Sequence, residues 1–243
     1  MPLGALAYRH RLAGKRAVTM LSRMLPAGAS QRLRALAERV AFNLTPQYQG
    51  DTLPGIFGYW SQRHLAPDAQ RLGIGSPEAL YLRHILRHAA TSEIPVRVLS
   101  LGCGAASMEI ALAEHLRDAG VPARLTCVDF NPSLLRSATQ AARSRELGAL
   151  MVFVERDCNQ PFDLGPQDII IVNQFFHHVT ALETFCASLR QSLTPGGVLI
   201  SSDIIGRNGH KLWPDVEAHV QRVWQDLPEA KRFDRYYDAV QPR

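Results

Sequence analysis

No apolar run in the sequence approaches the roughly 20 residues that a helix needs to cross a bilayer, and the opening stretch lacks the uninterrupted apolar segment of a secretory signal. The expectation is a soluble, cytoplasmic chain. Cysteine is scarce: Cys103, Cys127, Cys158 and Cys186 form no CxxC pair, which reads as free thiols in a reducing compartment rather than a disulfide framework. No carboxylate and histidine set recurs at a metal-ligand spacing, so no metal is expected. Acid is nearly missing from the first fifty residues, where Glu38 alone stands against Arg9, Arg11, Lys15, Arg16, Arg23, Arg32, Arg34 and Arg39. No aromatic residue lies between Arg9 and Arg39, which removes the stacking platform of a single-strand nucleic-acid binder. Three readings of this basic stretch stay open: a solvated helix face, an organellar presequence, or an amphipathic helix making peripheral contact with anionic lipid at the inner face of the membrane.

What is present is the composition of a packed globular protein. Of 243 residues, 46% are hydrophobic and 20% charged, with a formal net charge of +5. Residues 1–93 read as a helical extension or lid. Two helical pieces break around Pro26-Ala27-Gly28, and a Pro/Gly-punctuated connector follows that carries Phe57, Tyr59 and Trp60. Those aromatics suit either a cover over a ligand or core packing. Ser76-Pro77 then places an N-cap and a first-turn proline at the start of another helix running to about His88.

From Val96 the pattern changes to short β-rich apolar runs alternating with helical stretches, the signature of a doubly wound, mostly parallel sheet. Strands are predicted at Val96–Leu101, Arg124–Asp129, Met151–Glu155, Asp168–Asn173 and Gly197–Asp203, with helices at 107–118, 132–146 and 181–192. The expected division is a Rossmann-like domain over 94–210 and a C-terminal helical segment over 211–243.

The first strand runs into Leu101-Gly102-Cys103-Gly104-Ala105-Ala106-Ser107 and directly on into a helix. A strand that must turn sharply while a ligand approaches its backbone needs residues without Cβ, which accounts for Gly102 and Gly104. The second strand ends at Asp129, where an acid can accept hydrogen bonds from both hydroxyls of a ribose. Asp157 and Cys158 close the third strand. There an acceptor and a backbone N–H could meet an adenine edge, or Asp157-Cys158-Asn159 could be a solvated turn.

Val98 to Gly104, Val128-Asp129-Phe130-Asn131-Pro132, Arg156-Asp157, Asn173 through His178 and Leu193-Thr194-Pro195-Gly196-Gly197 resemble, in order and approximate spacing, the successive motifs of class I S-adenosylmethionine-dependent methyltransferases. The resemblance covers about 94–205. It implies S-adenosyl-L-methionine as cofactor, with Leu101, Gly102, Cys103 and Gly104 at its methionine part, Asp129 at the ribose, Phe130, Asp157 and Cys158 at the adenine, and Asn173 on the floor of the site. Two positions depart from the pattern: Ser100 stands where the family usually has an acid, and Ala106 where it often has a third glycine.

A narrower resemblance, through Asn173-Gln174-Phe175-Phe176-His177-His178-Val179 and the stretch from Ser202 to His210, is to a bacterial branch associated with glycan or natural-product gene clusters. It implies a small-molecule or glycan-linked acceptor. Methyl transfer to oxygen is the expected reaction, with His178, His210 and Asp203 as catalytic candidates at strand C-terminal ends; of the adjacent His177 and His178, the second is favoured. The histidines could instead pack under the cofactor or cap a helix. Because 211–231 read as helical, the strand hairpin that closes such sheets is expected to be missing or shortened, leaving an edge that a second copy could cover as a homodimer. The alternative function is a catalytically inactive cofactor-binding partner protein.

Overall fold

The structure is a computed structural model that describes residues 55–203, 212–234 and 239–240, together with Ala29, Leu33 and Leu36, which are helical. The expectations placed on the basic N-terminal stretch, on the side chain of Phe57, and on His210 lie outside the described residues. Contacts divide the chain into two compact units, Gly50–Ile205 and Met1–Gln49 with Gly206–Arg243.

The first unit is built on five strands, β1 (Val96–Leu101), β2 (Ala123–Asp129), β3 (Met151–Glu155), β4 (Gln167–Asn173) and β5 (Leu193–Ser202). They lie in the order β3-β2-β1-β4-β5, and every pairing is parallel. The chain winds outward from β1 to β3, returns beside β1 as β4 and ends on β5. The reversal falls between β1 and β4, so the crevice where open α/β sheets bind ligands lies outside the C-terminal ends of those strands. The central strands are covered on both faces and accordingly read as unbroken apolar runs; Ile169 to Val172 are each no more than 1% exposed.

Helices α1 (Gly55–Trp60) and α2 (Ala66–Arg71) flank a π-helical turn at Ser61–Leu65. Tyr59 and Trp60 there are 59% and 52% exposed, so neither joins the core. Helix α3 (Pro77–Ala89) starts as its sequence specifies, with Ser76 Oγ accepting from the Ala79 N–H at 3.1 Å and Pro77 in the first turn. Its Tyr81 and Ile85 are fully buried in one core layer with residues of β1, β2 and β4, of α4 (Ser107–Asp118), and Ala142 of α5 (Pro132–Ser144). The helix thus packs within the sheet unit, Gly50–Ile205.

The opposite layer packs Leu99, Leu101, Val128, Ile170 and Val172 against Phe185 and Leu189 of α6 (Leu182–Ser192). Burying each such side chain stabilises the fold by roughly 1.5–3 kcal/mol. No helix joins β3 to β4; residues 156–166 cross as a loop.

Strand β5 begins earlier than predicted because Leu193 already pairs with Gln167 before a register shift at Thr194 to Gly197. Gly196 takes φ +81°, and a Cβ on Gly197 would lie 3.0–3.1 Å from three backbone oxygens. That bulge needs both glycines. β5 is an edge strand whose Leu199 is 39% exposed.

In the second unit, α7 (Pro214–Asp226) carries Val216, Val220 and Val223 exposed along one side. Two two-residue strands, β6 (Phe233–Asp234) and β7 (Ala239–Val240), pair antiparallel with each other in a sheet of their own. This pair does not join the five-stranded sheet, in which β5 is the last strand among the described residues.

Candidate active site

The turn after β1 stores conformations that few residues adopt. Gly102, Gly104 and Ala106 have φ of +73°, +56° and +58°. For Ala106, fully buried at the N-cap of α4, the left-handed conformation costs about 1–2 kcal/mol. The turn is held by its neighbour: the N–H groups of Gly102 and Cys103 both donate to the Val128 carbonyl, at 2.8 and 3.0 Å. The two glycines then differ. A Cβ on Gly104 would meet nothing within 4 Å, whereas one on Gly102 would fall 2.1 Å from Cδ2 of Phe175. Gly102 admits the Phe175 ring, and Gly104 is the point where backbone faces open space.

Asp129 ties the tips of β1 and β2 together. Its Oδ2 accepts from the Gly104 N–H at 2.9 Å and its Oδ1 from the Asn131 N–H at 2.8 Å, in a side chain 8% exposed. A carboxylate at a strand tip is the kind of acceptor that sugar hydroxyls use. Asn131 uses its Oδ1 to cap α5 through the Ser133 N–H, while its buried Nδ2 has no acceptor among the described residues. Phe130 is half-buried.

At the end of β3 the turn reading of Asp157 describes what is seen. Its Oδ1 accepts from the Asn159 N–H at 2.9 Å and its carbonyl from the Gln160 N–H at 3.1 Å. Burial pushes the Cys158 thiol up to about 12, leaving it un-ionised. Asn159, which nothing in the sequence pattern singled out, accepts at its Oδ1 from Thr180 N, Thr180 Oγ1 and Ala181 N, at 2.7, 3.0 and 3.3 Å. It thereby fastens the loop after β4 to the loop after β3.

Beyond β4, Asn173 Oδ1 accepts from the Tyr81 hydroxyl at 2.9 Å. Burial is the main cause pushing that phenol up to about 12, so it stays a donor. Tyr81 could be read from sequence only as a core position of its helix; its reach to a strand 92 residues away is a tertiary fact.

Asp203, one of the catalytic candidates, holds the 3₁₀ turn at Phe176–His178. Its Oδ2 accepts from the Phe176 N–H at 2.7 Å, and its Oδ1 lies 2.7 Å from Nδ1 of His177. The carboxylate selects the His177 tautomer protonated on Nδ1, which makes Nε2 the basic nitrogen. Of the two adjacent histidines, His177 makes this contact; the sequence reading favoured His178 as the catalytic candidate. The His178 ring lies 4.2 Å from the His177 ring and 6.3 Å from Phe175, centre to centre.

A groove of about 590 Å³ between α5 and β3 is lined by Leu135, Arg136, Arg143, Phe153 and Glu155 among others, and contains none of the residues just described. Among the described residues no helix is long and apolar enough to cross a membrane, and no group of three or more His, Cys, Asp or Glu could hold a metal ion.

The donor set suits an adenosine with an amino-acid tail. Open backbone lies at Gly104, an acid lies at the β2 tip, and half-buried Phe130 follows it.

Residues 99–201 match the family model described as a methyltransferase domain. Over 143 residues the chain is 27% identical to the non-reducing polyketide synthase sorB of Penicillium rubens, a match that covers 58% of this chain and 5% of that protein. The chain thus spans about one twentieth of the length of the curated relatives it matches. Among solved structures, it is similar to the citrinin polyketide synthase CMeT domain, with 22% identity, a TM-score of 0.42 and coverage of 54% of this chain and 39% of that one. It is also similar to a SAM-dependent methyltransferase from Thiobacillus denitrificans in complex with S-adenosyl-L-homocysteine, with 21% identity, a TM-score of 0.40 and coverage of 61% and 55%. With the doubly wound sheet, the glycine turn and the acid at the β2 tip, the family match makes residues 99–201 a class I, S-adenosylmethionine-dependent methyltransferase domain.

Proposed function

We propose that this domain methylates a small-molecule acceptor that must lose a proton on methylation, a hydroxyl oxygen being the first choice, with His177 as the base. The observation that carries this reading is the 2.7 Å contact of His177 Nδ1 with Asp203, because an imidazole held in one tautomer by a carboxylate is the arrangement general-base catalysis needs. The bound cofactor supplies an electrophilic methyl group on a sulfonium. The protein's part is to hold the adenosine with Asp129 and the Gly104 backbone, to keep water out with Phe175 and Phe176, and to receive the acceptor's proton on His177 Nε2.

The match to polyketide synthases favours a second acceptor, the acidic carbon between two carbonyls of a polyketide-like compound, which requires the same proton removal. A glycan-linked hydroxyl fits the oxygen reading equally, and the distinction lies in the product.

The test is incubation of the full chain with S-adenosylmethionine and a panel of phenols, sugar alcohols and β-dicarbonyl compounds, reading S-adenosylhomocysteine release and the position of the new methyl by mass spectrometry and NMR. Active acceptors should lose turnover by roughly 10²–10⁴ in His177→Ala, with cofactor affinity changed little. Asp203→Asn should lose turnover in the same direction. Full turnover in His177→Ala would remove the base assignment. Cofactor binding without turnover on any acceptor would favour the inactive binding protein.

A further inference from the structure

Tyr81 is fully buried on α3, and its hydroxyl reaches the end of β4, where it donates to Asn173 Oδ1 at 2.9 Å. Asn173 is the last residue of β4, pairs in register with Ser202 of β5, and is only half-buried. A side-chain amide has one accepting end and one donating end. Tyr81 occupies the accepting end, and Asn173 Nδ2 has no acceptor among the described residues. Nor is Nδ2 one of the orphaned polar atoms shut away from solvent, so it faces accessible space. That space lies beside the reversal between β1 and β4, where open α/β sheets take their ligands.

Turning the amide by half a turn exchanges its oxygen and nitrogen with little change of shape, so only a partner can fix which end faces outward. Tyr81 is that partner. The Ser202 hydroxyl hydrogen-bonds the same phenol, and burial holds the phenol protonated, so its proton must find an acceptor in Asn173. The next residue, Gln174, takes φ +50° and donates its N–H and its side-chain amide to the Ser202 carbonyl, at 2.8 and 3.2 Å. A non-glycine residue holds that conformation only where its surroundings impose it. The reversal at Gln174 opens the turn on which His177 stands three residues later.

We propose that the Asn173 amide is the donor that receives the acceptor's oxygen as it turns negative, and that Tyr81 is the positioning residue that keeps this donor outward. The role rests on the base reading of His177 and deepens it. As the acceptor's proton moves to His177 Nε2, the electron pair left behind spreads onto an oxygen, and a preorganised N–H lowers the energy of that charge. The substrate class is therefore a phenol or an enolisable dicarbonyl rather than an amine, and Asn173 serves the acceptor rather than the cofactor.

The test uses the full chain, with the phenols and β-dicarbonyl compounds of the acceptor panel for kinetics and S-adenosylhomocysteine for calorimetry. Asn173→Ala should lower kcat/KM by roughly 10²–10³, the range for one lost oxyanion donor, and leave S-adenosylhomocysteine affinity within about twofold. Asn173→Asp keeps an acceptor for Tyr81 but sets a second negative charge against the developing one, so it should lose at least as much. Tyr81→Phe keeps the buried ring and should lose roughly tenfold. Because Tyr81 acts through the amide, Tyr81→Phe combined with Asn173→Ala should be no slower than Asn173→Ala alone. Thermal unfolding of each variant identifies a folded sample.

Losses that add in the double variant would overturn the positioning role and leave Tyr81 as a core residue only. Weakened S-adenosylhomocysteine binding in folded Asn173→Ala would put the amide on the cofactor and overturn the assignment, as would full turnover in Asn173→Asp. A wild-type chain that turned over no acceptor of the panel, or one unimpaired by His177→Ala, would instead refute the base reading beneath it.

Discussion

Replacing Gly102 with alanine separates the structural glycine of the turn from the ligand-facing one. The added methyl carbon would fall 2.1 Å from Cδ2, 2.3 Å from Cγ and 2.8 Å from Cβ of Phe175. Each is far inside van der Waals contact. The Phe175 ring has little freedom to retreat, since it packs edge-on to Phe185, which is fully buried. Overpacking of this kind costs about 1–3 kcal/mol, and holding an L-residue at φ +73° adds about 1–2 kcal/mol. Together that is a large share of the roughly 5–15 kcal/mol of a whole domain. For a domain of this size, with about 2–4 °C per kcal/mol, the melting temperature should drop by roughly 5 °C at least. Gly104→Ala has nothing within 4 Å of the new methyl, so it should pay only the conformational cost and instead lose cofactor affinity. Scanning calorimetry without ligand, on both variants and on Phe175→Ala alone and combined with Gly102→Ala, reads the coupling directly. Equal destabilisation by the two glycine substitutions, or no relief of Gly102→Ala by Phe175→Ala, would refute the reasoning.

Two other outcomes follow from the ionisable side chains. Burial alone would raise the Asp168 carboxyl, but hydrogen bonds from Arg97 outweigh it and carry the group down from 3.8 to about 2. A depressed carboxyl contributes stability above its unfolded value and loses it as pH falls through the folded one. Stability on the order of 1–2 kcal/mol should therefore disappear between about pH 4 and pH 2, and urea unfolding of Asp168→Asn should lack that increment. Thiol labelling of the native protein should modify Cys186, which is exposed, well before Cys158 and Cys103, whose thiols are both raised, Cys158 by burial and Cys103 chiefly by a hydrogen bond with the Cys127 thiol and by burial. Peptide mapping after brief alkylation checks the order, and early modification of Cys158 would contradict its placement.

Periodicity and turn chemistry were enough to place the sheet. The central strands were legible because a parallel strand covered on both faces must be apolar throughout, and Ile169 to Val172 can be little else. Ser76-Pro77 marked its helix for an equally local reason. The beginning of β5 was misread because Thr194-Pro195-Gly196-Gly197 has the composition of a turn, and only pairing of Leu193 with Gln167 makes it a bulged strand.

What tertiary structure alone decided are the partnerships between side chains distant in sequence. Adjacent histidines are indistinguishable by pattern, and the partner of His177 is a carboxylate 26 residues away just past another strand end. Two glycines of one turn look alike until Phe175 fills the space over the first and leaves the second open. Local sequence dictates backbone conformation because sterics and burial act residue by residue. Which polar atoms meet depends on how the chain is wound, and parallel strands bring together ends that lie dozens of residues apart.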